Sequence, residues 1–323
     1  MKMLAVALVS AVSLVLAATA DLSLESSAWV SQGRIITMLE KPGKAPSRRA
    51  RLPFEPYSLA MTTGGGMIMY VDDSCRGRGE IRLRRTRGAE TTLPGLGKLF
   101  NDKKVRVDGL ALGASGRMGA FVARPCVTKA AAEVSEQAGV VYLVSPADLR
   151  ITVLRGSIRE GGGPVGMAMD PKFSPDEKEL LVNYEGGFEL FNLESGESVF
   201  SSTSLGASRE GWTGAIGWLS GACVVFKTGS DWLSRDLKPP MVVNWHSSKV
   251  VTLGSLTGAP NEKSIGLTEV NSEHGIRRIV RGWEVVSMRG GSTIVGLPNG
   301  QGLVGLTAVG PRPTEISFCN KGN

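Results

Sequence analysis

The chain has 323 residues, with glycine at 42 positions, aromatic residues at 6% and a formal charge of +7. So much glycine with so few aromatic residues sets aside a helical bundle and favours many short strands joined by tight turns. The basic excess points only weakly to an anionic partner, because a solvated basic face is the commoner explanation.

The chain opens with Lys2, the apolar run MLAVALVSAVSLVLA, and Ala18-Thr19-Ala20 before Asp21. A positive start, an apolar core and a small-residue cleavage site predict a signal peptide over residues 1–20. The apolar run is about fifteen residues, against roughly twenty for a membrane span. No cysteine follows the cleavage site, so no lipoprotein anchor is expected. The expectation is a single domain over residues 21–323, soluble, monomeric, and periplasmic or secreted. Loss of Lys2 lowers its formal charge by one, to +6.

The first mature strands are expected in SAWVSQGRIITML, which lacks a preceding hairpin of its own. A long connection follows before Pro53, carrying Lys41, Lys44, Arg48, Arg49 and Arg51. Next comes Leu59-Ala60-Met61, an apolar, small, apolar triplet, then TTGGG and the run MIMYV. The same plan recurs at Leu110-Ala111-Leu112, Met167-Ala168-Met169, Ile216-Gly217-Trp218, Ile265-Gly266-Leu267 and Val304-Gly305-Leu306. First positions of the triplets stand 51, 57, 49, 49 and 39 residues apart. A hairpin recurring at such a period signals a radial repeat. Five of the first hairpins are followed by a second: GEIRLRRTRGAETTL, GVVYLVSPADLRITVL, FELFNLESGESVF, MVVNWHSSKVVTL and WEVVSMRGGSTIVGL. Nowhere does an amphipathic helical period persist for long; the best candidate is Thr128 to Gln137.

Four-stranded sheets stacked about an axis cover faces that a lone hairpin leaves open, and a small residue suits the crowded innermost strand. The sixth unit, LVGLTAVGPRPTEISF, has only its first hairpin. The sequence therefore predicts an all-β fold, a six-bladed β-propeller in which both chain ends complete one blade, two strands from each. That closure removes unpaired strand edges.

Phe173-Ser174-Pro175-Asp176 before a strand resembles the turn of WD40-like repeats in periplasmic TolB-type β-propellers. The resemblance is one of repeat type; it implies the architecture and carries no catalytic residue, since propellers host binding and catalysis alike.

In such a ring the loops joining second and third strands share a face. They read VDDSCRGRG, ARPCVTKAAAEVSEQAG, NYEGG and KTGSDWLSRDLKPP. Long loops on a stiff scaffold are where binding groups sit. The candidates are Asp72, Asp73, Arg76, Arg78, Arg124, Glu185, Asp231 and Trp232. A second basic segment, EIRLRRTR, alternates Ile81 and Leu83 with Arg82 and Arg84. An anionic glycan, an envelope polymer or an acidic protein would suit these arginines; nucleic acid fits less well, because aromatic stacking platforms are missing. His246 and His274 are the only histidines and read as surface turn residues. No metal site or cofactor is expected, and neither a nucleophile elbow nor a phosphate loop is present.

Cys75 and Cys126 end the second strands of consecutive units, and Cys319 takes the corresponding place in the unit before, so Cys75 has two candidate partners. Cys126 is favoured because the long loop after it gives the backbone freedom to reach. Cys223 opens a strand at a small apolar position and is expected to be a free thiol. The functional expectation is a non-catalytic binding or interaction scaffold. The alternative is a lyase or hydrolase acting on a sugar or small cyclic substrate in the central channel, with a histidine as general base beside Glu185 or Glu273.

Overall fold

The computed structural model describes residues 28–32, 34–39, 48–62, 66–72, 75, 79–85, 89–93, 105–126, 140–157, 169–184, 186–205, 212–229, 241–252, 267–269, 274–279, 282–287, 298–299, 302–306 and 317–319. The best helical candidate of the sequence, Thr128 to Gln137, lies outside them. No helix among the described residues is long and apolar enough to cross a membrane.

The described strands pair into antiparallel sheets taken in chain order. The first three strands, β1 (Ala28–Gln32), β2 (Ile35–Leu39) and β3 (Arg48–Arg51), wait for a partner from the far end of the chain. The next sheet contains β4 (Ser58–Met61), β5 (Met67–Val71), β6 (Ile81–Arg85) and β7 (Glu90–Thr92). A second contains β8 (Val105–Leu112), β9 (Gly119–Pro125), β10 (Val140–Ser145) and β11 (Arg150–Val153). A third contains β12 (Met169–Phe173), β13 (Glu179–Tyr184), β14 (Gly187–Asn192) and β15 (Ser198–Ser201). A fourth contains β16 (Trp212–Ser220), β17 (Cys223–Gly229), β18 (Met241–Asn244) and β19 (Lys249–Thr252). Then come β20 (Leu267–Glu269), β21 (His274–Ile279) and β22 (Gly282–Ser287), and finally β23 (Pro298–Asn299) and β24 (Gly302–Leu306). His274 therefore opens a strand rather than occupying a turn.

Three repeated triplets fall on the first strand of their sheets, Leu59-Ala60-Met61 in β4, Leu110-Ala111-Leu112 in β8 and Ile216-Gly217-Trp218 in β16; Val304-Gly305-Leu306 falls on β24, which has only the two-residue β23 beyond it. Met169 and Leu267 begin β12 and β20, and the rest of those two triplets lies outside the described residues. Strand β4 touches β8, β8 touches β12, and β24 touches β4. First strands that converge while the later strands of each sheet fan outward make a β-propeller arrangement.

Burial follows that radial plan. Second strands β5 and β13 are buried at every position, which explains why MIMYV and the LLV of ELLVNY are continuous apolar runs rather than alternations. Outermost strand β7 is exposed throughout, and β11 and β19 nearly so. Within a central strand, neighbouring residues serve different interfaces. Leu180 and Val182 pack with Ala120 and Val122 of the second sheet, whereas Leu181 packs with Trp218 and Phe226 of the fourth. Each fully buried large side chain contributes about 1.5–3 kcal/mol, so a one-residue register slip would forfeit both interfaces.

One edge of the arrangement is stitched by turns. Ser115, in the β8–β9 turn, donates its Oγ–H to the Glu177 carboxylate at 2.6 Å, and its backbone N–H adds a second bond. A Cβ built on Gly116 would lie 3.1 Å from the Thr62 methyl, so turns of the first two sheets also touch. Ser174, in the Phe-Ser-Pro-Asp turn, donates to Asp176 at 2.8 Å and accepts from the Glu179 N–H at 2.9 Å. That is the stiffening role expected of the turn.

The chain ends share a sheet, but not as two strands each. Its order is β23-β24-β1-β2-β3, with Val304 of β24 opposite Val30 of β1. Apart from the two-residue β23, one strand comes from the C-terminal end and three from the N-terminal end. Arg48–Arg51, read from sequence as part of a basic connection, is the outermost of these strands; there only one edge needs pairing, and charge blunts the other. The C-terminal strand expected in TEISF is replaced, at Ser317–Cys319, by a 3-10 turn.

That turn corrects the cysteine reading as well. Cys223 is not a free thiol: it is bonded to Cys319, with Cα atoms 5.4 Å apart. Both cysteines are buried beside Val242, and the Asn244 Nδ2–H donates to the Phe318 carbonyl at 2.7 Å. The position is small and buried, as its sequence context implied. The chain end, 96 residues away, returns to cover it.

Candidate functional site: a tied loop face

Residues Ser58, Val71 and Ile81 are register partners, so the loop between β5 and β6 emerges at the same end as the start of β4. Asp72 leaves β5 and accepts a hydrogen bond from the Gly79 N–H at 2.9 Å. Gly79 has φ of +68°, a left-handed conformation that suits glycine. This bond closes the neck of the loop that carries Cys75.

Cys75 is bonded to Cys126, the pairing expected from sequence, with Cα atoms 5.6 Å apart. The bond ties the β5–β6 loop to the segment leaving β9 in the neighbouring sheet. Arg124, near the end of β9, faces Arg106 of β8 across the ladder. The structure thus brings Asp72, Cys75, Arg124 and Cys126 to one end of two adjacent sheets. Asp73, Arg76, Arg78, Glu185, Asp231 and Trp232 lie outside the described residues.

Beneath this end lies a cluster that the sequence reading did not single out. Tyr70 on β5 is fully buried, and its hydroxyl donates to the Glu90 carboxylate on β7. Arg82 on β6 donates to Glu90 at 2.7 Å and to Glu80 at 3.1 Å. Phe54 fills the space between them, with its ring 5.3 Å from that of Tyr70 and 5.0 Å from the Arg82 guanidinium carbon. A cation over a ring face and a tilted aromatic pair are both favourable here.

The ionisation states follow from these contacts. Burial, then the bond to Glu90, pushes the Tyr70 phenol well above its ordinary value. For Glu90 burial works upward, but the bonds from Tyr70 and Arg82 outweigh it and hold the carboxyl low. The bond to Glu90 raises Arg82 against the opposing effect of burial. A phenol held protonated and a carboxylate held ionised between two donors form a fixed support, not a proton-transfer pair. The only sequence signal was Glu80 and Glu90 flanking the arginines of β6, which marks Arg82 as neutralised rather than part of a free basic face.

His246 is exposed in the β18–β19 turn, its ring 3.6 Å from that of Trp245. Among the described residues, no group of three or more histidine, cysteine, aspartate or glutamate residues is placed to hold a metal ion.

No protein-family model and no curated protein matches the chain. Among solved structures it is similar to a chain of a nidogen/laminin complex at 12% identity, over 87% of this chain and 97% of that one, with a TM-score of 0.47. It is also similar to the Cps50 (Swd1) β-propeller domain of Myceliophteria thermophila at 12% identity, over 82% of this chain and 81% of that one, with a TM-score of 0.45.

Proposed function

We propose that residues 21–323 form an exported six-bladed propeller that acts as a non-catalytic scaffold for a protein partner, after loss of a signal peptide over residues 1–20. The observation that carries this reading is the Cys75–Cys126 bond, which ties loops of two neighbouring sheets on one face. Pinning a loop reduces the ordering cost of binding, which is how a rigid scaffold gains affinity. Both disulfides also suit an oxidising exterior. On the opposite face Ser115 and Glu177 are bonded to each other across two turns, and among the described residues no disulfide ties loops of two sheets there. Contacts are assigned to Asp72, Asp73, Arg76, Arg78, Arg124, Glu185, Asp231 and Trp232, with Trp232 as the aromatic anchor.

A photo-reactive residue placed singly at Arg78, Trp232 or Ser195 tests this in the medium and envelope of the producing cell. Ser195 lies in the β14–β15 turn on the opposite face. The reading predicts one discrete protein adduct shared by the first two positions and absent from the third. Adducts at all three positions, or at Ser195 alone, would contradict it.

A further inference from the structure

Two arginine-rich segments meet where the sheet shared by the chain ends abuts its neighbour. Arg51 ends β3 and Arg84 lies on β6, 33 residues later; the Arg84 guanidinium donates to the Arg51 carbonyl at 2.6 Å. The Leu52 N–H donates to the Arg34 carbonyl at 2.7 Å, which brings the β1–β2 turn to the same place. Arg34 and Arg51 are exposed, and Arg84 is half-buried; Arg85, next along β6, turns to the other face, where its guanidinium donates to the Pro146 carbonyl at 3.5 Å. Glu80 and Glu90 are bonded by Arg82, and Glu90, which lies opposite Arg84 across the β6–β7 pair, also by Tyr70. Among the described residues none of Arg34, Arg51 and Arg84 forms an ion pair.

We propose that this seam is a binding strip for a linear acidic polysaccharide, separate from the loop face and independent of whether that face binds a protein. All three groups are guanidiniums, whose planar fork matches carboxylate and sulfate geometry, and they are held by folded backbone rather than by a loose tail. The strip offers no apolar centre of the kind protein interfaces use. Among the described residues the exposed large hydrophobic side chains are Val153, Val199 and Val250, on β11, β15 and β19 of three other sheets. Phe54, the aromatic ring beside the strip, is already occupied by Tyr70 and Arg82, so it gives no stacking platform to single-stranded nucleic acid. A hydrated chain with recurring negative charge and little apolar surface fits what remains.

The test uses the mature full-length chain and fluorescent polygalacturonate oligomers, with the fully methyl-esterified oligomer as an uncharged probe. Binding of the acidic oligomer alone is expected, with affinity falling as salt rises. Arg34→Gln with Arg51→Gln should weaken it by about tenfold, and because the hydrogen bonds at both positions use backbone carbonyls the fold is kept. Arg117→Gln with Arg150→Gln removes the same charge from an exposed turn and the exposed start of β11, and should cost less than about twofold. Melting curves of both double variants check that they are folded. Equal losses in the two variants, no binding of the acidic oligomer, or equal binding of the esterified one would overturn the proposal. So would tighter binding of polyglutamate or single-stranded DNA with the same variant sensitivity.

Discussion

Asn183 of β13 holds the backbone of Ala215 in β16 from both sides. Its Oδ1 accepts from the Ala215 N–H at 2.8 Å, and its Nδ2–H donates to the Ala215 carbonyl at 3.0 Å. One buried side chain thereby acts as a short strand between two sheets, at a point where β16 shifts register against β17. Asn183→Ala would leave a buried N–H and a buried C=O without their partner, a cost of about 2–4 kcal/mol. Urea unfolding of the variant measures this; a loss below about 0.5 kcal/mol would mean that the two sheets do not meet as described.

The two disulfides make a chemical prediction. Peptide mapping without reduction should give only Cys75–Cys126 and Cys223–Cys319, and the native chain should show no free thiol. Replacing Cys223 and Cys319 by alanine opens a loop spanning 96 residues and should cost about 4–5 kcal/mol in the chain-entropy account. A Cys75–Cys319 peptide would contradict the placement of the chain end.

What could be read in advance depended on how many neighbours an element has. MIMYV and ELLVNY sit between two sheets, so burial on both faces writes an apolar run into the sequence. Cys75 and Cys126 occupy equivalent places in successive repeats, which narrowed the partner of Cys75 to Cys126 or Cys319; the long loop after Cys126 decided between them. Arg48–Arg51 is an outermost strand and carries almost no apolar pattern, so nothing local distinguished it from a connection. The Cys223 partner was hidden because it arrives from outside the repeat. Tyr70 and Glu90 are joined across two strand pairings, which no local spacing reveals. Of the candidate binding residues, those on strands or at loop necks are placed, and most of the loop residues lie outside the described positions.

Two glycines separate backbone strain from crowding. Gly186 has φ of +90° with nothing within 4 Å of a built Cβ, so Gly186→Ala should cost about 1 kcal/mol from backbone conformation alone. Gly116 has φ of +71° and would also press a Cβ to 3.1 Å from Thr62, so Gly116→Ala should cost more, about 1–3 kcal/mol. Paired thermal melts decide this. The reverse order would mean that the turns of the first two sheets are not in contact.

The Glu90 cluster predicts a pH dependence. Its carboxyl is held below the ordinary value of 4.5 in the folded chain, so its contribution is fully present above that value and is lost as pH falls through the lower folded one. Glu90→Gln should therefore lower stability by about 1–2 kcal/mol at neutral pH, a figure reduced for the partial exposure of the pair. The gap between variant and parent should narrow once the pH is below 4.5. A gap independent of pH would show that ionisation of Glu90 adds nothing to the fold.

The central claim is that the two chain ends close the ring by pairing β1 with β24. Val30 and Val304 are direct partners across that pair. Such partners lie about 4.5–5.5 Å apart at Cα, within the reach of a disulfide. The most direct measurement is oxidation of a Val30→Cys, Val304→Cys variant followed by peptide mapping, with Val30→Cys, Leu267→Cys as the comparison. The account predicts an intramolecular Cys bond between positions 30 and 304, a raised melting temperature and no bond in the comparison variant. Unpaired thiols at 30 and 304, or a bond formed only between two chains, would contradict it.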